Sequence, residues 1–171
     1  NSTLSFTNGE LNSGGAEVGG AIASESSVVS ISGVSFTANS AESVGGAIYS
    51  ADSDLSLEAC DFEANTGSHG GAIALEASEV SLTDSQFVRN RASDDGGAIT
   101  AIAADILSLD GVHFENNEAT DKGGAVHATD SDGITLKDSR FTGNIAGDQG
   151  GAIWSYGTSA VIALRTLFWG N

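Results

Sequence analysis

A chain of 171 residues fits one domain. Its 23 acidic residues against six basic ones, a formal charge of −17, argue against nucleic acid and anionic lipid as partners, since both demand cationic surface. The same charge favours solubility and basic or cationic partners. One cysteine, Cys60, allows no internal disulfide and reads as a small buried thiol. No apolar run approaches the ~20 residues of a membrane-spanning helix. With no initiator Met and no charged-then-apolar leader, the sequence reads as a processed product or an excerpt.

In chain order, residues 1–18 read as a partial entering coil. Phe6-Thr7-Asn8-Gly9 starts a motif whose Asn place is taken by Gly9. From residue 19 two motifs alternate to the last residue. The first stands at Gly19-Gly20-Ala21-Ile22, Gly45-Gly46-Ala47-Ile48, Gly70-Gly71-Ala72-Ile73, Gly96-Gly97-Ala98-Ile99, Gly123-Gly124-Ala125-Val126 and Gly150-Gly151-Ala152-Ile153. The second, Phe-x-x-Asn, pairs Phe36 with Asn39, Phe62 with Asn65, Phe87 with Asn90, Phe114 with Asn117, Phe141 with Asn144 and Phe168 with Asn171. Successive first glycines stand 25–27 residues apart, so residues 19–171 make one repeat domain of six copies.

Between the motifs apolar residues alternate with polar ones, as in Leu55-Ser56-Leu57 and Val80-Ser81-Leu82. Period two marks a half-buried strand. The step of three from Leu57 to Cys60 breaks the alternation and predicts a bend or bulge. Each copy then holds three short strands, too few to stand alone. Pairing every strand with its equivalent one coil up, about 4.8 Å away, solves this. The fold class expected is all-β, a parallel β-helix (β-solenoid) of about six coils, right-handed because parallel crossovers nearly always are. Within it, Gly-Gly supplies positive φ and close backbone approach, Ile and Phe stack inward, and the Asn residues bond turn backbone, tolerate left-handed geometry and form an amide ladder.

The last copy departs from the pattern on its outside. In the register set by Phe168, Trp154, Ile162, Leu164, Leu167 and Trp169 face out, where the preceding copy has His127, Thr135, Lys137, Arg140 and Thr142. With Tyr156 nearby, these apolar residues predict one covered patch, an interface to a further domain or subunit. The alternative is a slipped register that buries Ile162 and Leu164.

Chemistry is sparse. Polysaccharide-cleaving enzymes need converging carboxylates or a basic residue in a groove. His69, His113 and His127 fall at different places around the coil and are not expected to converge. Arg89, Arg91, Lys137 and Arg140 read as surface charges, and no catalytic residue is assigned. The chain is therefore expected not to be an enzyme. Asp52 with Asp54, and Asp130 with Asp132, form Asp-Ser-Asp runs that offer Ca²⁺ the oxygen ligands it takes. Apart from that Ca²⁺ site no cofactor is expected, and a solvated acidic edge is the plainer reading.

The Gly-Gly-Ala-Ile/Val and Phe-x-x-Asn pair, repeated six times, resembles the repeats of the chlamydial polymorphic membrane proteins. That resemblance covers nearly the whole chain. It implies a β-helical passenger of an autotransporter, secreted and displayed at the cell surface, acting as an adhesin on a host-cell or other cell-surface protein or glycan. The function expected is a non-enzymatic extracellular rod that presents a long binding surface. The alternatives are a self-assembling filament subunit, joined through coil ends or the last-coil patch, and a polysaccharide-binding or polysaccharide-cleaving domain.

Overall fold

The alternation within each repeat gives strands that bury one side and wet the other: in Asp54–Glu58, Leu55 and Leu57 are buried while Asp54, Ser56 and Glu58 are exposed. The computed structural model describes residues 2–158 and 160–171, and all regular structure among them is β-strand. Every ladder is parallel, and each strand pairs with its equivalent one repeat away. The chain is thus a parallel β-solenoid with three sheets.

The first sheet stacks Ile22–Glu25, Ile48–Ala51, Ile73–Glu76, Ile99–Ile102, Val126–Thr129 and Ile153–Tyr156. The second takes the middle of each repeat. In Ser27–Thr37 it is one continuous strand. Later it is two, such as Asp54–Glu58 and Asp61–Glu63, with left-handed Ala59 (φ 50°) between them. That residue is the bend expected between Leu57 and Cys60. The third sheet consists of short strands such as Thr66–Gly67 and Arg91–Ala92.

The interior is a set of columns. Phe36, Phe62, Phe87, Phe114, Phe141 and Phe168 form one stack, with neighbouring ring centres 4.6–4.9 Å apart and planes within 12° of parallel. Ile22, Ile48, Ile73, Ile99, Val126 and Ile153 form another and line the same core. Cys60 is buried beside them. Burial pushes its thiol pKa up, which leaves it unreactive. Phe87→Leu removes two stacked aromatic contacts and should cost about 1–3 kcal/mol, counting roughly 0.5–1.5 for each. Phe168→Leu removes one contact from a ring that is 45% exposed, and should cost about half as much. Urea denaturation followed by circular dichroism checks the ranking; equal effects would show that the rings do not act as a column.

Two expectations need correction. The first Phe-x-x-Asn equivalent is not Phe6–Gly9. Ser2–Asn12 pairs with Ser27–Thr37, which puts Phe6 opposite Ile31 and Leu11 opposite Phe36. Leu11 therefore takes the Phe place and Gly14 the Asn place, and the Gly14 N–H donates to Asn39 Oδ1 (2.9 Å). An eleven-residue ladder overrides the local likeness of one Phe. Nor does the motif Asn adopt left-handed backbone. The residue before it does: Ala38, Ala64, Arg89, Asn116, Gly143 and Gly170 all have φ of 54–66°. This turns the chain while the side chains of Asn39, Asn65, Asn90, Asn117 and Asn144 stay buried.

Candidate functional site

Two outward columns face each other across the turn that leads into the first sheet. One holds the residue before each Gly-Gly from the second on: Val44, His69, Asp95, Lys122 and Gln149. The backbone carbonyls of all five receive the N–H of the first glycine one coil below at 2.9–3.0 Å. The other holds the second residue of each first-sheet strand from the second on: Tyr49, Ala74, Thr100, His127 and Trp154. The left-handed glycine between them, such as Gly96 (φ +66°), folds the chain so sharply that the two columns touch. Thr100 Oγ1 donates to the Asp95 carbonyl (2.9 Å), and Trp154 Nε1 donates to Gln149 Oε1 (2.8 Å).

The lower part is a cleft of about 330 Å³ lined in part by Val44, Tyr49, His69, Ala74, Glu76 and Thr100. Tyr49 donates to Glu76 Oε2 at 2.9 Å. Burial, then Glu76, hold its phenol above the usual tyrosine value. The upper part is aromatic. His127 stacks on Trp154 at 4.8 Å with planes 5° apart, and Lys122 Nζ lies 5.5 Å from the Trp154 ring centre.

Between these parts lies a polar cluster. Asp95 Oδ1 accepts the Lys122 backbone N–H at 3.0 Å, which fixes the carboxylate. Its Oδ2 stands 3.9 Å from His69 Nδ1 and 3.7 Å from His127 Nε2. His69 Nε2 is 3.5 Å from Asp94 Oδ2. One ligand atom each of His69, Asp94 and Asp95 lies within 4.8 Å of the others, the spacing that can hold a metal. The His127 side chain is 8% exposed and its Nδ1 has no hydrogen-bond partner. Burial lowers the His127 pKa below the ordinary histidine value against the pull of Asp95, and His69 and Lys122 add to the lowering.

The histidines therefore do converge in part. His69 and His127 meet at Asp95 because the glycine turn folds their columns together and the coils offset them. His113 stays apart on the second sheet, paired between Gln86 and Arg140. The two Asp-Ser-Asp runs of the Ca²⁺ reading lie on different coils of the stack. Asp52 (φ 49°) and Asp130 (φ 52°) occupy the left-handed turn after the first-sheet strand, and the coils between them carry Ala77 and Ala103 there. Asp54 sits in a strand opposite Glu79. The apolar residues of the last coil split between two sheets: Trp154 and Tyr156 on the first, Ile162, Leu164, Leu167 and Trp169 on the second. They are two groups rather than one patch, because the strands carrying them belong to different sides of the coil. Ile162 pairs with Thr135 and Leu164 with Lys137, and the slipped alternative is not adopted. The surface cations pair along the stack: Arg91 with Glu118 (3.1 Å), Arg165 with Asp138 (2.6 Å), and Arg89 with Glu63.

Parallel coils stacked on one axis, with aligned interior columns and a groove outside the first sheet, define a β-solenoid. The chain belongs to the right-handed β-helix family, whose model of the right-handed β-helix region matches residues 1–141. Residues 138–156, which carry Phe141, Asn144 and Gly150-Gly151-Ala152-Ile153, match the model of the Chlamydia polymorphic membrane protein repeat. No curated protein and no solved structure matched the chain.

Proposed function

We propose that this chain is a passenger-type rod of a secreted, surface-displayed protein, and that it works by presenting a surface for adhesion rather than by catalysis. One observation carries the reading: a polymorphic-membrane-protein-type repeat is wound into coils that are uniform inside and varied outside. The inner column is Phe at six levels. The exposed outer column of the second sheet runs Asp61, Gln86, His113, Arg140, Leu167. Uniform interiors hold a rod about 29 Å long for six coils at the strand spacing. Varied exteriors let each level contact something different. The partner of this reading is a protein or glycan on another cell.

Beads coated with the purified chain should bind cultured epithelial cells saturably, and soluble chain should compete. Attachment equal to albumin-coated beads would count against adhesion. A second reading, self-assembly into filaments, draws on Ile162, Leu164, Leu167 and Trp169, each about half exposed or more on one sheet. Static light scattering separates the two, since a monomer mass at every concentration would reject the filament.

A further inference from the structure

We propose that the cleft at Tyr49 and Glu76 receives a lysine side chain of the protein to which the rod attaches. The inference rests on the adhesion reading and gives its partner a chemistry.

The cleft exists because one residue is small. Ala74 lies between Tyr49 and Thr100 in the first-sheet ladder. Its methyl leaves open the space that the Tyr49 ring takes one coil below. Val44 and His69 wall that space from the turn, and Val18 and Ile102 add apolar lining. Its volume is about 330 Å³. Among the described residues, no lysine or arginine lines it, and its one carboxylate is Glu76, the exposed last residue of its strand.

Apolar walls beside a single carboxylate suit an apolar stem that ends in a cation. Lysine has that form, since it lays a four-carbon stem along apolar surface and keeps its ammonium at the wet edge. A neutral sugar is the poorer fit. Its hydroxyls need hydrogen-bonding partners, and the side chains of Val18, Val44, Ala74 and Ile102 offer none.

The bond from Tyr49 selects lysine over arginine. The Tyr49 hydroxyl donates to Glu76 Oε2 at 2.9 Å, which fixes the carboxylate and leaves Oε1 for a second donor. A guanidinium pairs best with both oxygens side by side, whereas an ammonium is a point charge that one oxygen can hold. The surroundings favour a cation as well. Glu25 and Asp52 act together with Glu76 on the Tyr49 phenol, so further carboxylates stand near this end of the cleft. The net charge of −17 draws cationic side chains toward the rod.

The test titrates N-acetyl-lysine methylamide into isotope-labelled full chain at physiological salt, followed by NMR. Saturable shifts are expected at the amides of Val44, Ala74 and Thr100. The norleucine analogue, which keeps the stem and lacks the charge, should bind more weakly, and so should the arginine analogue. Glu76→Gln should weaken lysine binding about tenfold or more, the usual worth of a hydrogen bond to a charged group. Ala74→Leu should fill the space and abolish binding. Glu115→Gln removes an equal charge from an exposed site on the second sheet and should change nothing. If Ala74→Leu does not fold, Glu76→Gln decides. Absence of saturable shifts, parental affinity in Glu76→Gln, an equal loss in Glu115→Gln, or cellotetraose bound at these amides in place of lysine would each overturn the assignment. The two readings fail separately. Lysine binding without attachment of coated beads to cells would reject adhesion and keep the cleft. Bead attachment that Glu76→Gln leaves unchanged would keep adhesion and reject the cleft as its contact.

Discussion

Gly97→Ala should be among the most damaging single-methyl changes in this chain, costing at least about 4 kcal/mol, above the usual 1–3 for overpacking a core. A Cβ at Gly97 would lie 2.1 Å from the Gly124 carbonyl oxygen and 2.7 Å from the Glu118 backbone. Both are main chain, so no side chain can swing away. The same approach recurs up the stack: a Cβ at Gly46 meets the Gly71 oxygen at 2.1 Å, and one at Gly124 meets the Gly151 oxygen at 2.1 Å. The second glycine of the motif is needed for room, because its backbone packs directly on the coil above. The first, with φ of 56–68°, is needed for conformation. The urea midpoint of Gly97→Ala measures the cost, and a midpoint equal to the parent's would mean that the coils are not in backbone contact there.

Asn90→Leu should cost about 3–5 kcal/mol, far more than a surface substitution. Asn90 is fully buried and uses all of its amide capacity. Its Nδ2 donates to the Phe62 carbonyl (2.9 Å) and to Asn117 Oδ1 (3.0 Å). Its Oδ1 accepts the backbone N–H of Asn65 (3.0 Å) and Asn65 Nδ2 (2.9 Å). Leucine of similar volume would strand two buried donors of Asn65, at about 1–3 kcal/mol each, and remove the bond to the Phe62 carbonyl. The ladder continues through Asn39, Asn117, Asn144 and Asn171 with side-chain bonds of 2.8–3.0 Å, so one break separates it into two shorter runs. Hydrogen exchange should show faster exchange at the Asn65 amide in the variant. Unchanged protection there would show that the ladder is not what satisfies that group.

The architecture was open to reading because it is periodic. A motif every 25–27 residues requires equivalent side chains to lie over one another, and alternation such as Val80-Ser81-Leu82 says which side is buried. The bend after Leu57 was visible as a broken alternation. Two local details were not. Phe6 resembled the start of a motif, yet the long pairing of Ser2–Asn12 put Leu11 in that role. The motif Asn, a residue that tolerates left-handed backbone, left that geometry to its neighbour.

The sequence by itself determined the winding, the period and the membership of each interior column, because stacking makes position along the axis a simple function of position in the repeat. Only the tertiary structure decided which outward columns meet. His69 and His127 are 58 residues apart and belong to different columns, as do Asp95 and His127. They converge because a left-handed glycine folds one column onto the other, and Asp95 stands one level from each histidine. The angle of that fold leaves no trace in periodicity, which records what lies above a residue and not what lies beside it.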